Sequence, residues 1–192
     1  VPLLKEMLSY KRGAGTVTEE AFIARFLDTV PEMQRDAPGN RFLLIGDHPT
    51  TLFSAHTDSV HLAAGRQSVR EDRRERILFK EDGEPLGADD ATGCWILLEL
   101  IARRVPGLYL FHREEECGGN GSRWVAWHDA ARLRDIQRAI AFDRRGTTDV
   151  ITHQSGSRCC SDHFAEALAT QLGHNFAPCD TGVFTDTLNY ID

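Results

Sequence analysis

The spacing of apolar positions changes along this chain, and those changes predict which segments are helices and which are strands. Leu3, Leu4, Met7 and Leu8 recur at helical intervals, so Pro2 to Leu8 reads as a short helix. Thr18 reads as the N-cap of a second helix running through Phe22, Ile23 and Phe26, with Glu19 and Glu20 suited to its positive end. Pro38-Gly39-Asn40 marks a turn. Arg41 to Ile45 and Thr51 to Ala55 read as strands separated by Gly46-Asp47-His48-Pro49, and Ile77 to Phe79 as a shorter strand ended by Asp82-Gly83.

From Ala91 the pattern changes. Cys94, Trp95, Ile96, Leu97, Leu98, Leu100 and Ile101 are apolar almost all round, as in a helix buried against a sheet. Leu108 to Phe111 is an apolar strand. Ser122 reads as the cap of a helix through Trp124, Val125 and Trp127. Ala139 to Phe142 and Val150 to Thr152 are further strands, and Ser161 or Asp162 caps a helix that Gly173 ends. Strands alternating with helices predict an α/β fold, a mostly parallel mixed sheet flanked by helices in three layers.

Composition narrows the function classes. The 192 residues suit one domain, spanning 1–192, and suffice for a core without disulfide staples. A net charge of −7 argues against nucleic acid or an anionic membrane as partner, since both call for a basic face. The five cysteines are scattered and odd in number, which is neither a disulfide framework nor a zinc ribbon, so a cytoplasmic location is expected. No secretory or membrane-spanning run appears in the sequence.

Four polar segments stand where predicted strands end, the place where open α/β sheets bind ligands. In Ser54-Ala55-His56-Thr57-Asp58, an imidazole stands two residues from a carboxylate. That suits a metal ligand oriented by an acid, although a lone His at a strand end is more often structural. In Gly87-Ala88-Asp89-Asp90-Ala91-Thr92-Gly93, the two acids are either helix caps or metal ligands. In Glu114-Glu115-Glu116-Cys117-Gly118-Gly119-Asn120-Gly121-Ser122, three acids form either a solvated loop or a cation ligand beside a base. The glycines favour the second by letting backbone pack closely. Asp143, in Ala141-Phe142-Asp143-Arg144-Arg145-Gly146, is either a ligand or a salt-bridge partner of the arginines.

Taken in order, His56-Thr57-Asp58, Asp89-Asp90-Ala91-Thr92-Gly93, Glu115-Glu116-Cys117-Gly118-Gly119-Asn120-Gly121-Ser122 and Asp143 resemble the co-catalytic zinc exopeptidases. That group includes the peptidase T, carboxypeptidase G and bacterial leucine aminopeptidase types. The resemblance runs from about Pro38 to Asp143. It implies two zinc ions held by His56, Asp89, Glu116 and Asp143, with Asp89 bridging. It also implies Glu115 as general base, Asp58 orienting His56, and Asp90 supporting the site.

The family's fifth ligand, a His near the end of the domain, has no clear match. Val183 to Thr187 is similar to the segment that precedes it, so the chain is expected to stop short of that residue, with His153 and His163 as weaker substitutes. Too few residues follow Asp143 for the second, lid-like domain of the peptidase T type, which favours the aminopeptidase-like architecture. The expected activity is metal-dependent hydrolysis of short peptides. The alternatives are cleavage of N-acyl amino acids on the same scaffold and a weakened module that no longer holds two metals.

Overall fold

In the computed structural model, which describes residues 2–191, the strongest apolar runs pair side by side. The central sheet comprises β1 (Gln34–Arg35), β2 (Arg41–Ile45), β3 (Thr51–His56), β4 (Gly107–His112) and β5 (Arg138–Ala141), in the order β1-β2-β4-β3-β5. β4 is buried at every position, which is why it takes the centre and separates β2 from β3. β3 pairs in parallel with both β4 and β5, whereas β1–β2 and β2–β4 are antiparallel. The sheet is thus mixed, and its parallel half is the half that carries the candidate ligands.

Alternation along the strands builds three layers. Leu43, Ile45, Ala55, Tyr109 and Phe111 face α1 (Pro2–Met7), α2 (Val17–Phe26) and α3 (Ala88–Ala102). Leu52, Leu108 and Leu110 face α4 (Asn120–His128) through Trp124 and Val125. Beyond β5, a parallel strand pair (Asp149–Ile151 with Ala177–Cys179) packs on α5 (Asp162–Leu172), with Val150, Ala165 and Ala169 between them. A 3₁₀ turn, Asp186–Tyr190, brings the chain back towards the end of β4. Ile77–Phe79 is a strand, as expected, but it pairs with Arg70–Asp72 outside the central sheet.

Two expected helix caps are displaced. Thr16, not Thr18, caps α2: its hydroxyl accepts the Glu19 N–H at 3.2 Å, the cap-to-third-residue spacing, while Thr18 lies inside the helix and accepts from Gly65 N. α4 begins at Asn120 after Gly119, whose φ of 70° suits glycine. Ser122 therefore sits within the first turn, donating to the Gly119 carbonyl. All five cysteines are free, and among the described residues no helix is long and apolar enough to cross a membrane.

Candidate metal centre

Parallel pairing aligns the carboxyl ends of β3, β4 and β5, and this brings the four polar segments together. His56 is the last residue of β3, and Asp143 follows β5 by two positions. The His56 Nε2 lies 2.9 Å from Asp89 Oδ1, 3.8 Å from Asp143 Oδ1 and 4.0 Å from Glu115 Oε2. Glu116 joins His56 and Asp89 in a group whose donor atoms all lie within 4.8 Å of one another. A second group of the same tightness contains His56, Asp90 and Asp143.

The two adjacent aspartates do different work. Asp89 and Asp90, joined by a cis peptide bond, both have non-helical backbone angles, so the regular helix starts at Ala91. Asp90 caps it: one oxygen accepts Gly93 N at 2.8 Å and the other accepts His56 N at 3.2 Å. With both oxygens so engaged, Asp90 is a poor candidate ligand despite its place in the second group. The Asp89 side chain is 68 % exposed and turned to the imidazole. The capping reading of this segment thus falls to Asp90, and Asp89 is the residue left as a candidate ligand.

Asp58 is fully buried beneath the site, 3.4 Å from His56 Nδ1. It also accepts the backbone N–H groups of Glu115 and Glu116, each at 3.1 Å. One carboxylate thus lies against the ring and seats both acids of the neighbouring loop. Close packing of that loop depends on glycine at Gly121, where a Cβ would collide with Asn40 and with the Arg113 backbone.

Charge is unbalanced at this cluster. Burial disfavours the His56 imidazolium, but the surrounding carboxylates of Asp143, Asp58 and Asp89 outweigh it and carry the ring well above its ordinary pKa. Burial pushes Glu115 up to about 8, with neighbouring carboxylates adding to the effect. Glu116 and Asp143 are raised as well, again chiefly by burial. Asp58 goes the other way: burial would raise it, but His56 and the two backbone N–H groups hold it below its usual value. A proton on His56 here offsets part of a negative charge that a cation would offset more fully. Nitrogen and carboxylate donors converging on one point suit zinc. The residues present fit such an ion.

His153 and His163 lie outside both groups, so among the described residues His56 is their one imidazole. Arg144 is engaged elsewhere, with Asp149 at 2.8 Å and Thr181 Oγ1 at 3.0 Å. Other neighbours of the site were barely legible in the sequence. Thr185 helps hold the Asp143 carboxyl down against the upward push of burial. His112, at the end of β4, lies 3.2 Å from the buried Asp186 and 2.7 Å from the Tyr190 hydroxyl. The likeness of Val183 to Thr187 to a site-adjacent segment was the only hint of Thr185 and Asp186. Nothing in the local pattern marked His112.

No protein-family model and no curated protein sequence matches the chain. Solved structures do. The TET1 peptidase of Pyrococcus horikoshii superposes with a TM-score of 0.66 at 17 % identity, over 97 % of this chain and 86 % of that one. A tripeptidase from Staphylococcus aureus gives 0.59 at 17 % identity, over 79 % of this chain and 44 % of that one, so this chain spans less than half of that enzyme. A glutaminyl cyclase from Macrostomum lignano gives 0.57 at 16 % identity, over 98 % of this chain and 73 % of that one. At such identities the likeness establishes the mixed α/β fold, and the cyclase shows that this fold is not confined to peptidases.

Proposed function

We propose that this chain is the catalytic part of a two-zinc peptidase that removes amino-terminal residues from short peptides. The observation that carries this reading is the gathering of polar side chains around the His56 Nε2, with Asp89 and Glu116 in one tight group, Asp143 and Glu115 at 3.8 and 4.0 Å, and Asp58 beneath. His56, Glu116 and Asp143 would each hold one metal, and Asp89 would share its two oxygens between both. When bound, zinc polarises the scissile carbonyl and acidifies a water near neutral pH.

The chain's own residues do the rest. Glu115 accepts the water's proton at its carboxylate and returns it to the leaving amine. As a base it has to be ionised, and cations held by its neighbours would offset the upward push that burial and like charges exert on it. Asp58 keeps the His56 ring in place and holds the Glu115–Glu116 backbone, so the base and a ligand move as one unit. Arg144 is paired with Asp149 and Thr181 in this structure, which favours a charge-balancing role over a clamp for a substrate carboxylate.

The test is hydrolysis of a dipeptide panel by protein stripped with chelator and then reloaded with zinc. Activity should appear on reloading and be lost in Glu115→Gln at equal metal content. Hydrolysis confined to N-acyl amino acids would shift the substrate class, and no hydrolysis by zinc-loaded protein would overturn the reading.

A further inference from the structure

Arg12 lies outside every segment with metal-site character, yet its side chain ends directly beneath two of them. It is fully buried, with its guanidinium 4.7 Å from the Phe22 ring centroid. Nη1 donates to the Thr57 carbonyl at 2.7 Å and more distantly to the Asp58 carbonyl at 3.4 Å. Nη2 donates to the Gly87 carbonyl at 2.5 Å. Thr57 and Asp58 directly follow His56, and Gly87 is the left-handed turn two residues before Asp89. One planar group thus ties the loop after β3 to the turn before α3, segments that converge only in the folded chain.

From this geometry we infer that Arg12 is a positioning residue that sets the separation of His56 and Asp89, and hence the affinity of the site for metal. The inference rests on the proposed metal-binding role of those two residues. A fork with two diverging donors meets carbonyls on separate loops at once, which a single ammonium does less well. The charge itself works against metal binding, since a buried cation repels an arriving dication. Geometry and charge therefore predict opposite results when the guanidinium is removed. If Arg12 acted only as a charge, Arg12→Gln would tighten zinc binding; if it positions the loops, the same change weakens it.

The experiment is equilibrium zinc titration of wild type, Arg12→Gln and Arg12→Lys, with thermal melts of each metal-free protein. Arg41→Lys serves as control, because Arg41 is also buried but ties Asp28 and the Gly39 carbonyl away from the site. Both Arg12 variants should bind zinc about 10–100-fold more weakly, the usual cost of losing a group that orients ligands. Arg41→Lys should lower the melting temperature and leave zinc affinity unchanged. Unchanged or tighter zinc binding in Arg12→Gln would overturn the inference while leaving the metal site intact. Wild-type protein that binds no zinc would instead overturn the site reading, and the inference with it. Should both Arg12 variants fail to fold, the Nε–H resonance of Arg12 in wild-type protein decides. It should shift along the zinc-binding isotherm, and an invariant resonance counts against the positioning role.

Discussion

Glu115 and its neighbours illustrate how burial gives ordinary side chains a specific task. Replacing Glu115 by Gln keeps the shape and removes the proposed proton acceptor. Turnover should fall about 10²–10⁴-fold with zinc content unchanged; near-normal turnover at verified metal content assigns the base elsewhere. The raised pKa values of His56 and Glu115 also fix a pH dependence of stability. A group raised on folding contributes stability that is complete below its unfolded value and fades as pH rises through its folded value. For Glu115 that window runs from its ordinary 4.5 to about 8. His56 adds loss in the upper part of the range. Asp58 and Asp89, held below 3.8, act only in stronger acid. Metal-free protein should therefore melt at progressively lower temperature between pH 5 and pH 8, whereas zinc-saturated protein, with its ligands already deprotonated, should flatten that trend. Melts that rise over the same range without metal would contradict the charge balance described above. The candidate ligands were visible in the sequence because each closes a strand or opens a helix. Arg12 and His112 were not, since their partners are brought to them only by tertiary folding.

At the scale of elements, the start of α3 couples fold to site. Asp90 caps the helix and holds the His56 backbone, and Gly93 leaves room for it: a Cβ there would overlap the Asp90 carboxylate. That carboxylate is buried and pinned by two N–H groups, so it cannot simply swing away. Gly93→Ala should cost stability on the order of a lost cap, about 0.5–2 kcal/mol, and should weaken zinc binding as well. Thermal melts and zinc titration check both, and a stable variant with full zinc affinity would show that Asp90 supports neither. Element type was legible from apolar spacing, but caps were less so. Thr16 and Thr18 both precede a good helical run, and only the contact to Glu19 separates them. Gly119 displaced Ser122 as cap because the tight turn after Glu116 demands a left-handed residue. The two-residue strands at Tyr10–Lys11 and Gly65–Arg66 carry too short a pattern to detect, and they pair over a separation no local signal reports.

For the whole molecule, the alternation of strands and helices revealed the layered α/β class, but not the antiparallel edge formed by β1 and β2. Strand direction depends on how β4 inserts between β2 and β3, a choice made by the burial of β4 rather than by any local motif. The proposed reading from the amino end leads to one substrate prediction. Among free, N-acetylated and C-amidated forms of one dipeptide, acetylation should abolish cleavage and amidation should be tolerated. The reverse order, reproduced by Arg144→Ala or Arg145→Ala, would mean that the carboxylate is read instead. All of this depends on whether the converging side chains hold metal. The most direct measurement is a zinc titration of metal-free wild type beside Asp89→Ala, with bound zinc counted by elemental analysis. Wild type should show one tight and one loose site, the second lacking a further imidazole, and Asp89→Ala should lose zinc from both, along with thermal stability. Wild-type protein that takes up no zinc, or an Asp89→Ala protein that retains two, would contradict the assignment of this cluster as the metal centre.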